Sequence, residues 1–181
     1  VCSSDLEPSV FAHVSGDEGL MDIFRKNWDF YSTIAIKTEK LNDYSPDKKA
    51  DNFLRKHLPK VRNKAKAYSL GIPYGMSAYA LGKNLEISTK EAQKLVDGYL
   101  NGFPELKKWM ESSRNFVKEN GYIKTQVGRI RHLPKVKKIY KALGDAMLDW
   151  NIKRQLEREY GKDKILNLSR DYVNGLNGSC N

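Results

Sequence analysis

Apolar residues recur at three- and four-residue steps along most of this 181-residue chain, and only one short stretch alternates with a period of two. The first pattern lines one face of a helix and the second one face of a strand. The chain is therefore expected to be mainly α with a small β-hairpin. Between residues 16 and 40, Leu20, Ile23, Phe24, Trp28, Tyr31, Ile34 and Ala35 keep the helical spacing, in two helices with a break near residues 27–29. Residues 41–51 are polar and contain Asp43, Ser45, Pro46 and Asp47, which marks a loop. Helix resumes near Asn52 and again over 61–70, where Gly71 and Pro73 supply a stop.

Ser88 and Glu91 form a capping box that opens a helix running to about Leu100, and a further helix covers 105–119. Residues 122–126 and 129–133 flank Val127-Gly128 as the hairpin. The pattern predicts one helix over 138–160, stopped by Gly161, and a loop over 174–181. Trp28, Trp109 and Trp150 each fall on an apolar helical stripe and are expected in the core.

Charge is strongly segregated within a formal net charge of +10. Residues 52–85 contain no acid but carry Arg55, Lys56, Lys60, Arg62, Lys64, Lys66 and Lys83. Residues 124–144 repeat the arrangement with Lys124, Arg129, Arg131, Lys135, Lys137, Lys138 and Lys141. Acid-free tracts interleaved with Tyr68, Tyr74, Tyr79 and Tyr140 suit phosphate neutralisation together with base stacking. No stretch is apolar enough for a membrane helix, and no membrane partner is expected. No secretory leader is expected, since no charged-then-apolar stretch with a cleavage site is seen at the start. Cys2 and Cys180, at the two extremes, offer no disulfide framework, and a reducing cytoplasmic setting is expected. P-loop and nucleophile-elbow motifs are absent. His13, His57 and His132 have no neighbours at metal-ligand spacing.

The first tract holds the string Arg62-x3-Lys66-x3-Leu70-Gly71-x2-Tyr74-Gly75. Steps of four place Arg62, Lys66 and Leu70 on one helical face. Two cations one turn apart can hold a triphosphate at two levels, Leu70 offers an apolar contact to a sugar, and Tyr74 beyond the break offers a platform for a base. An Arg and a Lys four apart are common on helices. The whole string ending in Tyr-Gly is far more specific.

That string resembles motif B, the O-helix signature R-x3-K-x7-Y-G of family A DNA polymerases. Ala12-His13-Val14-Ser15-Gly16-Asp17 is similar to the A-H-L-S-x-D that follows motif A in that family. Asp29-Phe30-Tyr31-Ser32 resembles the D-I-H segment, with Tyr31 where many members carry His. Gly128-Arg129-Ile130-Arg131-His132-Leu133-Pro134 is similar to the G-R-R-x-x-L-P segment after the fingers. The resemblance runs in order from Glu7 to about Pro134, and residues 135–181 look closer to phage-type members.

The resemblance implies a fingers subdomain with palm fragments of a right-hand polymerase: 7–16 at the palm edge, 17–160 as fingers, and 161–181 returning toward the palm. It implies triphosphate contacts from Arg62 and Lys66, with Lys66 as general acid toward pyrophosphate. Tyr74 would stack at the insertion site, and Gly75 would let primer–template approach. Glu7 would block a ribose 2′-hydroxyl, Leu70 would govern dideoxynucleotide acceptance, and Tyr31 would lie on the nucleotide side. Arg129 and Arg131 would contact nucleic acid. The implied partners are primer–template DNA, deoxynucleoside triphosphates and the rest of the polymerase chain, in the cytoplasm of a bacterial or phage-infected cell.

The implied two-metal chemistry uses Mg²⁺ held by two palm aspartates. The first aligns with Cys2, a soft thiol where a hard oxygen ligand belongs, and the second aligns beyond Asn181. The intact enzyme is thus expected to hold Mg²⁺ with ligands from outside this segment. Residues 1–6 read as a translated sequencing adapter, which sets Asp5 aside as non-native. Two alternatives stand beside this reading. A basic helical nucleic-acid-binding protein would keep the tracts but has no reason to align Arg62, Lys66, Tyr74 and Gly75. A single-subunit RNA polymerase fragment has a related helix, and Glu7 opposes it by filling the space a 2′-hydroxyl needs.

Overall fold

A computed structural model describes residues 5–125 and 127–177, apart from the side chains of Ala146, Met147, Trp150 and Asn177. It divides into two compact units, Val1–Trp109 and Met110–Asn181, with the division inside one helix.

The first unit contains α1 (Leu6–Ser15), α2 (Glu18–Arg25), α3 (Phe30–Glu39), α4 (Leu54–His57), α5 (Pro59–Gly71), α6 (Ala78–Leu85), α7 (Thr89–Gly102) and the start of α8 (Pro104–Asn120). α3 is its centre. Residues 30–35 are all buried, so this helix is covered on every side rather than on one stripe. Two of them are polar and both are satisfied locally: Ser32 donates its hydroxyl to Asp29 Oδ1 at 2.6 Å, and Thr33 donates to the Asp29 carbonyl at 3.0 Å. Helices α5 and α7 pack on α3, and α6 packs on α7. Tyr31, Ala65, Tyr68, Leu81, Ala92, Tyr99, Phe103 and Leu106 fill the space between them. The expected capping box is present, with Ser88 accepting from the Glu91 amide and Glu91 accepting from the Ser88 amide.

The second unit comprises the rest of α8, strands β1 (Tyr122–Lys124) and β2 (Ile130–His132), α9 (Pro134–Leu143), α10 (Trp150–Tyr160) and α11 (Lys162–Asn177). The strands pair antiparallel with Tyr122 opposite His132 and Lys124 opposite Ile130. Its core is Val117, Val136, Ile139, Ile165, Tyr172 and Leu176.

The mainly α architecture with one hairpin agrees with the sequence patterns, and so do the break before α3, the loop over 41–51 and the stop at Gly71. Four details differ. The strands are three residues each, shorter than 122–126 and 129–133, and Gln126 lies outside the described residues. The single helix expected over 138–160 is two helices joined by a 3-10 turn, Gly144–Leu148. Gly144 takes φ 56° and ψ −140°, which no helix continues, and Asp149 then starts α10 by accepting from the amides of Asn151 and Ile152. Residues 174–177, expected as loop, continue α11. Burial of Leu176 beside Val136 and Tyr172 outweighs the weak helix preference of Asn and Gly, while residues 178–181 lie outside the described set. Finally, Trp28 sits in the break before α3, half-buried with the Lys26 ammonium 4.8 Å above its ring. Trp109 is also only half-buried, and the Trp150 side chain is among those not described.

The packing of α11 on α9 supports a direct test. A β-carbon at Gly175 would run into Cγ2 of the buried Val136. Helix propensity alone favours alanine over glycine by about 1 kcal/mol. Overpacking reverses that sign, and Gly175→Ala is expected to lower stability by about 1–3 kcal/mol in a denaturant titration. Adding Val136→Ala should relieve the clash, so a stabilised Gly175→Ala single variant would show that α11 and α9 lie farther apart.

Candidate functional site around Tyr31

Asp29 precedes α3 with extended backbone and caps it by accepting from the Ser32 amide at 2.9 Å. Its carboxylate also takes a fork from α5: Arg62 donates Nε–H to Oδ1 at 2.8 Å and Nη2–H to Oδ2 at 2.9 Å. The pair is well shielded, with side chains 14% and 8% exposed. Burial alone would raise the Asp29 carboxyl. The bonds from Arg62 and Ser32 overcome it and hold the group below its ordinary range. The Asp29 bonds likewise raise Arg62 against the opposing effect of burial.

One residue into the middle of this arrangement stands Tyr31, fully buried. The Arg62 guanidinium lies 5.1 Å from its ring centre and the Lys66 ammonium 5.5 Å. Both cations therefore face the same side of α5, as steps of four require. Burial, reinforced by the Asp5 carboxylate, pushes the Tyr31 phenol up to about 12, with Glu7 acting in the same direction. Lys64 points elsewhere and pairs with Glu39 at 3.5 Å. Among the described residues Lys66 forms no ion pair, which leaves it as the cation of this face without a carboxylate partner.

Glu7 is exposed in the first turn of α1, and its carboxylate lies within electrostatic reach of the Tyr74 hydroxyl. Burial and that carboxylate together raise the Tyr74 phenol. The Tyr74 ring is 38% exposed and meets Phe11 edge-on at 6.1 Å. Gly75 follows with φ 81°, a left-handed conformation that a side chain would strain. Leu70 is half-buried in the last turn of α5. Arg62, Lys66, Tyr31, Glu7 and Tyr74 are thus linked by contact or electrostatic reach within one unit, whereas Arg129 and Arg131 stand exposed at the hairpin in the other.

Sequence reasoning gave no role to Asp29, although an Asp directly before an apolar helix is a cap signal. Phe11 has nothing in its local pattern to mark it, since its edge-on contact with Tyr74 arises only when α1 folds back. Among the described residues no three His, Cys, Asp or Glu side chains converge as a metal site would need. No described helix is long and apolar enough to cross a membrane.

Comparison with known proteins places this geometry in context. The family model described as DNA polymerase family A matches residues 3–152. DNA polymerase I of Bacillus caldotenax is 35% identical over 133 residues, covering 74% of this chain and 14% of that protein. The thermostable DNA polymerase I of Thermus aquaticus is 32% identical over 143 residues, 79% of this chain and 16% of its own length. The chain spans about a seventh of these curated relatives. A solved structure of the polymerase domain of Pol1 from M. smegmatis, in complex with DNA primer-template and dNTP, shares the fold. It has a TM-score of 0.61 and 22% identity, covering 94% of this chain and 35% of that one.

Proposed function

Because this chain belongs to DNA polymerase family A, we propose that it supplies the nucleotide-binding helix of a template-directed DNA polymerase. The observation that carries this is the placement of Arg62 and Lys66 against the Tyr31 ring, with Glu7 in electrostatic reach of both Tyr31 and Tyr74. Lys66, which forms no ion pair among the described residues, meets the triphosphate and gives a proton to the departing pyrophosphate. Arg62 is held in place by Asp29 and fixes the Tyr31 ring beneath the phosphates, adding its own charge there. Tyr74 stacks on the incoming base, and the Glu7 carboxylate holds the Tyr74 hydroxyl while excluding a ribose 2′-hydroxyl.

Residues 17–160 are assigned to the fingers, with 7–16 and 161–181 running from and to the palm. Arg129 and Arg131 at the hairpin contact primer–template phosphates. The aspartates that hold Mg²⁺ for in-line transfer are assigned to the rest of the polymerase chain, because the described residues offer no suitable donor set.

Leu70 tests the assignment without touching either cation. In the full polymerase carrying this segment, Leu70→Tyr brings a phenol hydroxyl to the position from which a missing 3′ oxygen can be replaced. Dideoxynucleotide incorporation relative to deoxynucleotide should rise in a primer-extension competition. An unchanged ratio would place the sugar of the incoming nucleotide somewhere other than beside α5.

A further inference from the structure

The Asp29 carboxylate is engaged more fully than a helix cap requires. Its Oδ1 accepts three hydrogen bonds: the Ser32 amide at 2.9 Å, the Ser32 hydroxyl at 2.6 Å and Arg62 Nε–H at 2.8 Å. Oδ2 accepts from Arg62 Nη2–H at 2.9 Å. The amide bond is enough to cap α3. The Ser32 hydroxyl is wholly buried and adds a second bond to the same oxygen, which fixes the rotation of the carboxylate itself. The backbone beneath is also fixed. The Asp29 amide donates to the Pro46 carbonyl at 2.9 Å, and the Asp29 carbonyl accepts from the Thr33 amide at 3.0 Å.

Arg62 inherits that orientation. A guanidinium is planar and carries five N–H donors. Two of them, on one edge, go to Asp29, and the Tyr31 ring centre lies 5.1 Å from the same group. Three N–H groups are left for other acceptors, and their directions follow once the occupied edge is fixed. Two parallel bonds prevent the plane from swinging about either one, as a single bond would allow. The two side chains are 14% and 8% exposed, so little water competes for the fork.

We infer that Ser32 and Asp29 are positioning residues for nucleotide binding: they aim the remaining N–H groups of Arg62 at a triphosphate and so set the affinity for the incoming nucleotide. This rests on the nucleotide reading of α5 and adds to it two residues at the start of α3 that act only through Arg62. The test is single-turnover primer extension by the full polymerase carrying this segment, over a range of deoxynucleotide concentrations. It reads the maximal rate, the nucleotide concentration that gives half of it, and the amplitude, which counts active molecules. Asp29→Asn keeps an oxygen to cap α3 but sets an amide N–H against Arg62 Nη2, which undoes the fork. It should raise the half-saturating concentration about tenfold, as the loss of one charge-assisted bond does, with the maximal rate within about threefold of the parent. Ser32→Ala should raise the same concentration about threefold. Arg62→Lys keeps a cation beside Asp29 but no planar fork, so it should weaken nucleotide binding by itself, and adding Asp29→Asn should then have no further effect. If Lys66→Ala and Arg62→Lys both behave as the parent does, the nucleotide reading of α5 fails and the inference fails with it. If those two impair addition while Asp29→Asn keeps the parent half-saturating concentration, whatever its amplitude, Asp29 serves the fold alone and only the inference is overturned.

Discussion

Lys66→Ala is expected to slow nucleotide addition about 100-fold in the full polymerase that carries this segment, while Lys64→Ala changes it little. The two lysines are two residues apart on α5, yet they face different surroundings. Lys66 lies over Tyr31 beside Arg62 and forms no ion pair among the described residues. Lys64 is turned to Glu39 near the end of α3. A charge-assisted bond to phosphate oxygens strengthens as charge builds on them during transfer. Removing such a donor costs about 3 kcal/mol of transition-state stabilisation, which corresponds to roughly two orders of magnitude in rate. The Lys64–Glu39 pair is partly exposed, and its loss is a stability effect of at most about 1 kcal/mol. Single-turnover extension separates these outcomes. Equal rates for the two variants would mean that the lysines only solvate the helix and that the nucleotide lies elsewhere.

The second large effect concerns stability. Asp29→Ala removes the cap of α3 and leaves the Arg62 guanidinium shielded without its carboxylate. Losing one partner of a buried pair costs about 3 kcal/mol, and losing a helix cap about 1 kcal/mol. A total of about 4 kcal/mol would be a large fraction of a typical domain's stability. The same carboxylate produces a pH dependence whose sign is fixed. Its folded pKa lies below the ordinary value of 3.8, so the unfolded chain takes up the proton more readily. The contribution is complete well above that value and is lost as pH falls through it toward the lower, folded pKa. Denaturant midpoints measured from neutral pH into acid should show this loss in the parent and lack it in Asp29→Asn. Identical acid profiles for the two would show that the Arg62 fork contributes nothing to folding.

How much of this was readable in the linear order of residues depends on the range over which each feature is decided. Periodicity, the Ser88–Glu91 box, the stop at Gly71 and the Val127-Gly128 turn act within one or two helical turns, and the elements they mark are present. The common face of Arg62 and Lys66 was equally legible, because it follows from 3.6 residues per turn and nothing more distant. The helix over 174–177 was not, since local preference there favours a loop and only burial of Leu176 against Val136 reverses it. The break at Gly144 was written in the chain but is easily overridden, because a lone glycine inside a helical pattern is often tolerated.

At the candidate site the same division applies. Sequence alone determined the cation ladder, the tyrosine beyond it, the acid-free tracts and the family. Only the tertiary structure decided that Arg62 is committed to Asp29 while Lys66 forms no ion pair among the described residues, and that Glu7 comes within electrostatic reach of Tyr74. Those partners are separated by 33 residues in the first case and by most of the first unit in the second. A carboxylate's choice among many cations is made by which helices pack together, and hydrophobic burial around α3 is what packs them.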